Sequence, residues 1–581
     1  MLAGLVALNQ TVAAVLLQDS RGPLVLSGFV IRTGGALPSS GAAILLTGTN
    51  TDGDASIALE DGLIAFGDVG SDADRAAAYN ITARWGGEGK GSGSVAIAND
   101  GGRDVSLRSV WIRSAVAITV GPALHPVFQV PSDAAGFRRI ERWSYSGSGS
   151  IAWGGISGNA SVAAASTGIP NLRGLPGHPA STPPSDAVLG TMHSWSSADA
   201  GALAWTGVLL DAWRDCGATP DWVNATDDDG AALAKCFARS SGDQTVFLPR
   251  GVFHLVSPLV VPAGTKLVGA GKHCAVLAMV AGPAFAGEGA ALLVVAGRDR
   301  PMVTSAPATA TAAAATMPGT VVSDLVLVQS QRAVVVEVRG ATLLRDVRTA
   351  PCSPTHSGSH PTCKQLQQQQ HRLPGPAGSI SAAAGPSGMV AGVLFTGDMA
   401  SGRFYGLSLD HCAKFFNQTG DALLAVNASR GGDGGGGGGG GGGEIHLYQL
   451  SAEHLVADYQ VQVWRSEHVH LHAFKFESAG FLAHPSWGPP GGGLLGCHGS
   501  RNVTVFGGSG NFGIMNASLA RDIVSVWDCD AFRLDAMVRK PSPGETPPAG
   551  ANWVRATSGY PNATATVISD GTPALLTFST A

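Results

Sequence analysis

This 581-residue chain is short of the residue types that most folds lean on. Charged residues make up 14% and aromatics 6%, both low for a globular protein. Lys and Arg number 37 against 42 Asp and Glu, a formal net charge of −5. With no long basic block to set against that balance, neither nucleic acid nor an anionic membrane surface is an expected partner. No run of eighteen apolar residues occurs, so no membrane-spanning helix is predicted. Cys-x-x-Cys pairs are missing, which removes the thioredoxin-like and zinc-ribbon readings. Asn-Gly pairs are missing too, and with them the strongest short signal for an antiparallel hairpin. The opening, MLAGLVALNQTVAAVLLQDS, is apolar but lacks the basic residues that begin a signal peptide.

What the chain does have is glycine, 81 residues. Ten of them form the run Gly434 to Gly443; many others stand singly or in pairs between short apolar segments. Segments of four to seven residues alternate apolar and polar and end at Gly, Asn, Asp or Ser, the pattern of an all-β protein with many turns. Asn precedes x-Ser/Thr at positions 9, 80, 159, 224, 417, 427, 502, 516 and 562, nine of fourteen asparagines. Chance predicts about two such sites, so Asn9, Asn80, Asn159, Asn224, Asn417, Asn427, Asn502, Asn516 and Asn562 point to a glycosylated protein of the secretory route or the extracellular space. Eight cysteines, an even number, fit that compartment. Cys352 and Cys363 are the candidate disulfide; free buried thiols are the alternative.

Three stretches read as unstructured insertions: 305–318, 351–388 and 431–443. A proline-rich segment opens a linker at 168–205, which divides the chain into a partial module at 1–167 and a longer one at 206–581. GRDVSLRSV from 102, SEHVHLHAF from 466, SRNVTVFGG from 500 and ARDIVSVWD from 520 share a template. It runs small, charged, Asn/Asp/His, then Val/Ile entering a strand. Asn and Asp tolerate the left-handed conformation that a tight corner needs. Parallel strands joined by such corners and stacked coil on coil make a β-solenoid. The rival, an antiparallel sandwich, lacks its turns.

Residues 224–277 carry the strongest local signature. Asp227 to Asp229 precede an amphipathic stretch, Ala231 to Ala238, so one of them is predicted to cap a short helix. The strands TVFLP, VFHLV, LVVP and TKLVGAG follow. This stretch resembles the N-terminal cap of the pectate-lyase-like superfamily, through Val246 to Gly251, Phe253 and Gly269-Ala-Gly271. The resemblance implies a right-handed parallel β-helix, here two tandem modules with the first incomplete. A chain so arranged suggests a gene model that lacks its start.

Residues 452–480, AEHLVADYQVQVWRSEHVHLHAFKFESAG, hold the candidate chemistry. Alternation places Val461, Val463, Val469 and Leu471 inward. His468, His470 and His472 then share the opposite face, read as a polar outer face rather than a metal site, since zinc wants convergent ligands from separate elements. Glu453 and Glu477 stand 24 residues apart, close to one coil, and groups one coil apart stack at about 4.8 Å. Two stacked carboxylates do not both ionise cheaply, so one becomes a general acid, as glycoside hydrolysis requires. Two glutamates that never meet are the plainer alternative.

The order Ala-Glu-His, strand, corner, then Glu at the end of the next strand resembles glycoside hydrolase family 55, tandem right-handed β-helices acting as inverting β-1,3-glucanases. That resemblance implies Glu477 as proton donor and Glu453 as a nearby carboxylate holding substrate or water, with His454 beside it. Where the family has an aromatic, proline-rich segment after the acid, this chain has only Phe481 and Trp487, and Trp487 is the candidate to stack on a sugar ring. Carboxylates about 5 Å apart suit retention better than inversion. The expectation is a monomeric, cofactor-free glycosidase acting on a polysaccharide. A polysaccharide lyase would instead need Ca²⁺, which Asp528, Asp530 and Asp535 beside Arg533 would hold. A non-catalytic wall-polysaccharide-binding protein is the third reading.

Overall fold

The computed structural model describes residues 13–18, 24–27, 29–33, 42–47, 56–66, 95–99, 104–113, 116–120, 125–129, 137–146, 149–154, 161–162, 179–180, 209–220, 227–240 and 244–272. It further describes 274–280, 282–285, 290–296, 320–329, 333–351, 391–396, 401–410, 422–427, 444–453, 459–477, 493–511, 524–527, 529–540, 554–557, 564–569 and 572–577. Cys352, Cys363 and, apart from Pro351, the insertions 305–318, 351–388 and 431–443 lie outside them. In the 168–205 segment the described pair Pro179–Ala180 forms a short strand against Phe137 and Arg138.

Short β-branched segments bury one side of each strand, and stacking them in parallel buries all of those sides together. From Leu209 onward the described strands form two ladders, one of 16 strands and one of 9. Leu424, Val461, Leu495, Val524 and Val554 follow one another in register on the smaller ladder. The steps between them are 37, 34, 29 and 30 residues, so coil length varies in the loops while the strands keep register. The chain is a parallel β-helix. Its hand is right, by the rule that parallel crossovers obey. A single cluster of buried side chains runs along its axis from Leu210 to Leu534. The strand pair Thr564–Ser569 and Thr572–Thr577 turns antiparallel at the far end.

One corner recurs coil after coil. Asp324, Asp346, Gly406, Gln449, Ala473 and Gly507 hold φ of 59°, 49°, 64°, 58°, 50° and 63°, each one residue beyond a paired position on the neighbouring strand. The left-handed residue resets the alternation: Val469 and Leu471 are core before it, Phe474 and Phe476 after it. A second column contains His468 and Asn502, at φ 57° and 52°, with Asn502 Nδ2 and His468 Nδ1 2.7 Å apart. These are the template positions from 466 and 500. The template from 520 is a different element: Val524–Trp527 pairs with Gly493–His498 on the smaller ladder. The next residue in the corner column is Ala531, at φ 54°, because Thr504 pairs with Arg533. The 34-residue spacing is therefore a coil and the 20-residue spacing is not.

The helix Gly230–Arg239 closes the near end of this body, burying Leu233, Cys236 and Phe237. Asp229 occupies its N-cap position, but its carboxylate makes no cap bond. It accepts instead from the backbone N–H of Thr219 (2.7 Å) and His254 (2.8 Å), tying the helix to the first coil. Asp228 Oδ1 takes the Gly230 N–H at 3.0 Å. A disulfide joins Cys216 to Cys236, 20 residues on. Closing a loop of that length stabilises by about 3 kcal/mol, so Cys216→Ser should lower the unfolding midpoint of the oxidised protein in a thermal scan. Wild type in dithiothreitol should fall by the same amount, and the variant should not respond to the reductant.

The N-terminal strands form a shorter parallel stack. Ala13–Gln18, Ala42–Thr47, Val95–Asn99 and Val116–Val120 make one ladder. Leu24–Ser27 and Val30–Thr33 pair with Ser56–Phe66, which pairs with Asp104–Arg113. Antiparallel strands Phe137–Ser146 and Gly149–Gly154 finish that sheet. This body has its own core around Ile44, Leu59, Ile64 and Ile112. It rests on the long helix: Ser56–Phe66 and Asp104–Arg113 contact Glu467–Glu477 and Arg501–Asn511. Small residues make the approach possible, since a Cβ on Gly507 would stand 3.5 Å from Ala58 Cβ and 3.6 Å from Ser106 Cβ.

Candidate functional site

Two columns on the 16-stranded ladder collect the chemistry. In the first, Asp410 pairs with Glu453, Glu453 with Glu477, Glu477 with Asn511 and Asn511 with Lys540. Glu453 and Glu477 are thus cross-strand neighbours one coil apart, at the roughly 4.8 Å strand spacing. Each follows a core residue, Ala452 or Phe476, both fully buried. Asp410 is a third carboxylate position in the column, which the 24-residue comparison did not reach. Its signal is a repeat in the sequence: Gly406-Leu-Ser-Leu-Asp410-His411 matches Gln449-Leu-Ser-Ala-Glu453-His454. In each case the acid stands four residues after a left-handed corner, as Glu477 does after Ala473. His454, Phe481 and Trp487 lie outside the described residues.

The second group lies on the outer face of the preceding strand segments. His446 pairs with His470, and Tyr448 with His472, on adjacent strands. The rings stack: His446 on His470 at 4.8 Å, Tyr448 on His472 at 4.6 Å and Tyr405 on Tyr448 at 4.9 Å. Facing away from the core agrees with the alternation, but openness to solvent does not. His468 and His470 are half-buried, but His472 is 3% exposed, because Glu60 and Arg108 of the N-terminal body cover it; His446 beside it is 9% exposed. The side chain of Glu60, fully buried, lies 3.1 Å from His472 Nδ1 and accepts from Arg108 Nη2 at 2.8 Å. The Arg108 guanidinium lies 4.6 Å over the Phe506 ring.

From His472 the contacts continue to His446 (Nε2 to Nδ1, 3.4 Å) and from His446 Nε2 to Glu444 at 3.0 Å. His470 Nδ1 contacts the Thr504 hydroxyl at 2.7 Å. Burial pushes the His446 imidazole below its ordinary pKa, against the pull of Glu444. Burial and then the neighbouring rings of His446 and His472 push His470 down to about 2. Among the described residues no three His, Cys, Asp or Glu are grouped as a metal site.

Of the acidic set drawn from 528–535, Asp530 and the backbone of Asp535 are described. Asp530 is at a corner in an ion pair with Arg501 (3.4 Å), and Asp535 is in register with Phe506. Asp528 lies outside the described residues. Of the sequon asparagines, Asn427 sits in the strand Ala422–Asn427 and Asn502 at its corner. The Asn502 amide faces His468, and the hydroxyl of Thr504, which completes its sequon, faces His470. The other seven lie outside the described residues.

No protein-family model matches the chain, and no curated protein does. Among solved structures, it is similar to the enzymatically active domain of tailspike protein 2 from bacteriophage CBA120, at 10% identity and a TM-score of 0.33, over 61% of this chain and 46% of that one. Pantoea stewartii WceF, a glycan biofilm modifying enzyme with a tailspike-like parallel β-helix fold, matches at 12% identity and a TM-score of 0.31, over 64% and 43%. The Streptococcus pneumoniae surface protein and adhesin PfbA matches at 10% identity and 0.25, over 60% and 88%. The chain spans less than half the length of the first two. At these identities and scores the likeness assigns no chemistry to this chain.

Proposed function

We propose that this protein acts on polysaccharide as a glycoside hydrolase, with Glu477 as general acid and Glu453 holding substrate or the attacking water. The observation that carries this reading is the register of Glu453 opposite Glu477 in adjacent coils. A pair of carboxylic acids brought to one place on the chain is what glycosidic cleavage uses. A β-1,3-glucan is the first substrate to try, on the resemblance of the Ala-Glu-His segment and its following glutamate to glycoside hydrolase family 55. His454 and Trp487 are assigned to the sugar. The nine sequons and the Cys216–Cys236 disulfide support an oxidising, secretory setting.

The test is an assay of the full chain on β-1,3-glucan and on polygalacturonate, with and without EDTA. Reducing ends released from the glucan, unaffected by EDTA, are the expected result. Unsaturated product that EDTA abolishes would replace the hydrolase with a Ca²⁺-dependent lyase. Binding without product, unchanged when both glutamates become glutamine, would make this a binding protein.

A further inference from the structure

The two bodies meet along matching rungs. Leu24–Ser27 contacts Glu467–Glu477, Ser56–Phe66 contacts that strand and Arg501–Asn511, and Asp104–Arg113 contacts Arg501–Asn511. Phe137–Ser146 contacts Arg533–Lys540. Both stacks therefore advance in the same direction. Two stacks of one hand that advance side by side turn oppositely directed strands to each other, as two wheels turning the same way do where they touch. The side chains agree. Glu60 stands 3.1 Å from His472, whereas Ala58, two residues back, packs on Ala473 and Phe506. Ser106, the partner of Ala58, lies over Gly507.

Two residues farther along that course stand Ser56 and Asp104, which pair with each other. They are placed level with Lys475 and Ser509, also a pair. Alternation puts Ser56 and Asp104 on the face turned to the long helix, since Ile57, Leu59, Val105 and Leu107 are core. The long helix turns its corner at Ala473 and Gly507. A closed coil is convex at its corners, so its strands bend away there while the N-terminal strands run on to Ser56 and Asp104. A cleft opens between them. One wall carries Glu453, Glu477 and Asn511, and the other begins with Ser56 and Asp104.

We propose that Asp104 is a substrate-binding residue, accepting hydrogen bonds from sugar hydroxyls of a glycan held between the two bodies against Glu453 and Glu477. The role rests on the hydrolase reading of that column. A carboxylate has two oxygens to accept from neighbouring hydroxyls, and bonds to an ionised acceptor are the stronger kind. Asp104 also has a plainer use, as the Asx corner of its own coil. Asn502 fills the same slot of the shared template, so asparagine serves that corner too. Asp104→Asn therefore removes the charge and leaves the corner.

Placement and role are tested separately on the full chain. In the double variant Asp104→Cys, Ser509→Cys, a short bis-maleimide should join the two positions, read by mass spectrometry as a linked peptide pair. Single-ended adducts at both positions without the link overturn the placement. On the glycan that wild type cleaves, Asp104→Asn should raise KM at least about fivefold, with kcat changed less than about twofold and the unfolding midpoint unmoved. An unchanged KM overturns the role. Turnover by wild type without the link removes Asp104 and keeps the hydrolase. A link without turnover on either test polymer removes the hydrolase, and with it the role of Asp104, and keeps the cleft.

Discussion

Glu477→Gln should lower kcat on the cleaved glycan by about 10²- to 10⁴-fold, with KM little changed. Glutamine keeps the shape of the side chain but has no acidic proton to give. The loss is therefore that of proton donation to the leaving oxygen, a contribution of about this size where a positioned acid acts. Sugar contacts made equally in ground and transition states survive, which leaves KM in place. The column gives the experiment an internal comparison. Asp410→Asn and Glu453→Gln alter the two preceding rungs, and only the residue that donates the proton should show a smaller loss on substrates with an acidic leaving group such as a nitrophenol. Initial rates on the natural glycan and an aryl glycoside, for all three variants, measure this. Undiminished turnover in Glu477→Gln would remove that residue from the reaction.

The second large effect concerns the axis of the helix. Phe404 is fully buried, edge-on to Phe395 with ring centroids 4.7 Å apart. Its strand Ser401–Tyr405 continues the ladder between Ala341–Pro351 and Ile445–Tyr448. Phe404→Ala leaves a ring-sized cavity that two flanking coils cannot close without breaking register, and such truncations cost about 3–5 kcal/mol. Urea unfolding followed by far-UV circular dichroism should show a midpoint lower by that amount. Leu16→Ala, at a side chain 52% exposed, should move it by less than about 0.5 kcal/mol. Equal effects for the two would mean that Phe404 is not part of the load-carrying core.

The fold was legible because its rules are local. Alternation and Asx corners need only a few neighbouring residues each, the strand series after Asp229 lies within 245–271, and repetition multiplies them. The register of Glu453 opposite Glu477 was legible for a related reason, a spacing of 24 residues with no long insertion between them. Asp410 escaped because the glycine run stretches its coil to 43 residues, from Asp410 to Glu453, and so hides the repeat from a fixed period. The disulfide escaped because eight cysteines allow 105 complete pairings, and Cys216 and Cys236 meet only once the helix folds back. The cover over the histidines could not be read at all: Glu60 and Arg108 lie 412 and 364 residues from His472, and no periodicity reaches that far.

That separation also bears on how the molecule assembles. Coil stacking joins residues a few tens apart, so each coil offers the next a ready template and the stack grows step by step. The Glu60–His472 contact spans 412 residues and has no partner surface until both stacks exist. Contacts of such length are slow to form. Seating of the N-terminal strands is therefore expected as the closing event of folding, with the histidine face of a newly made chain uncovered until then.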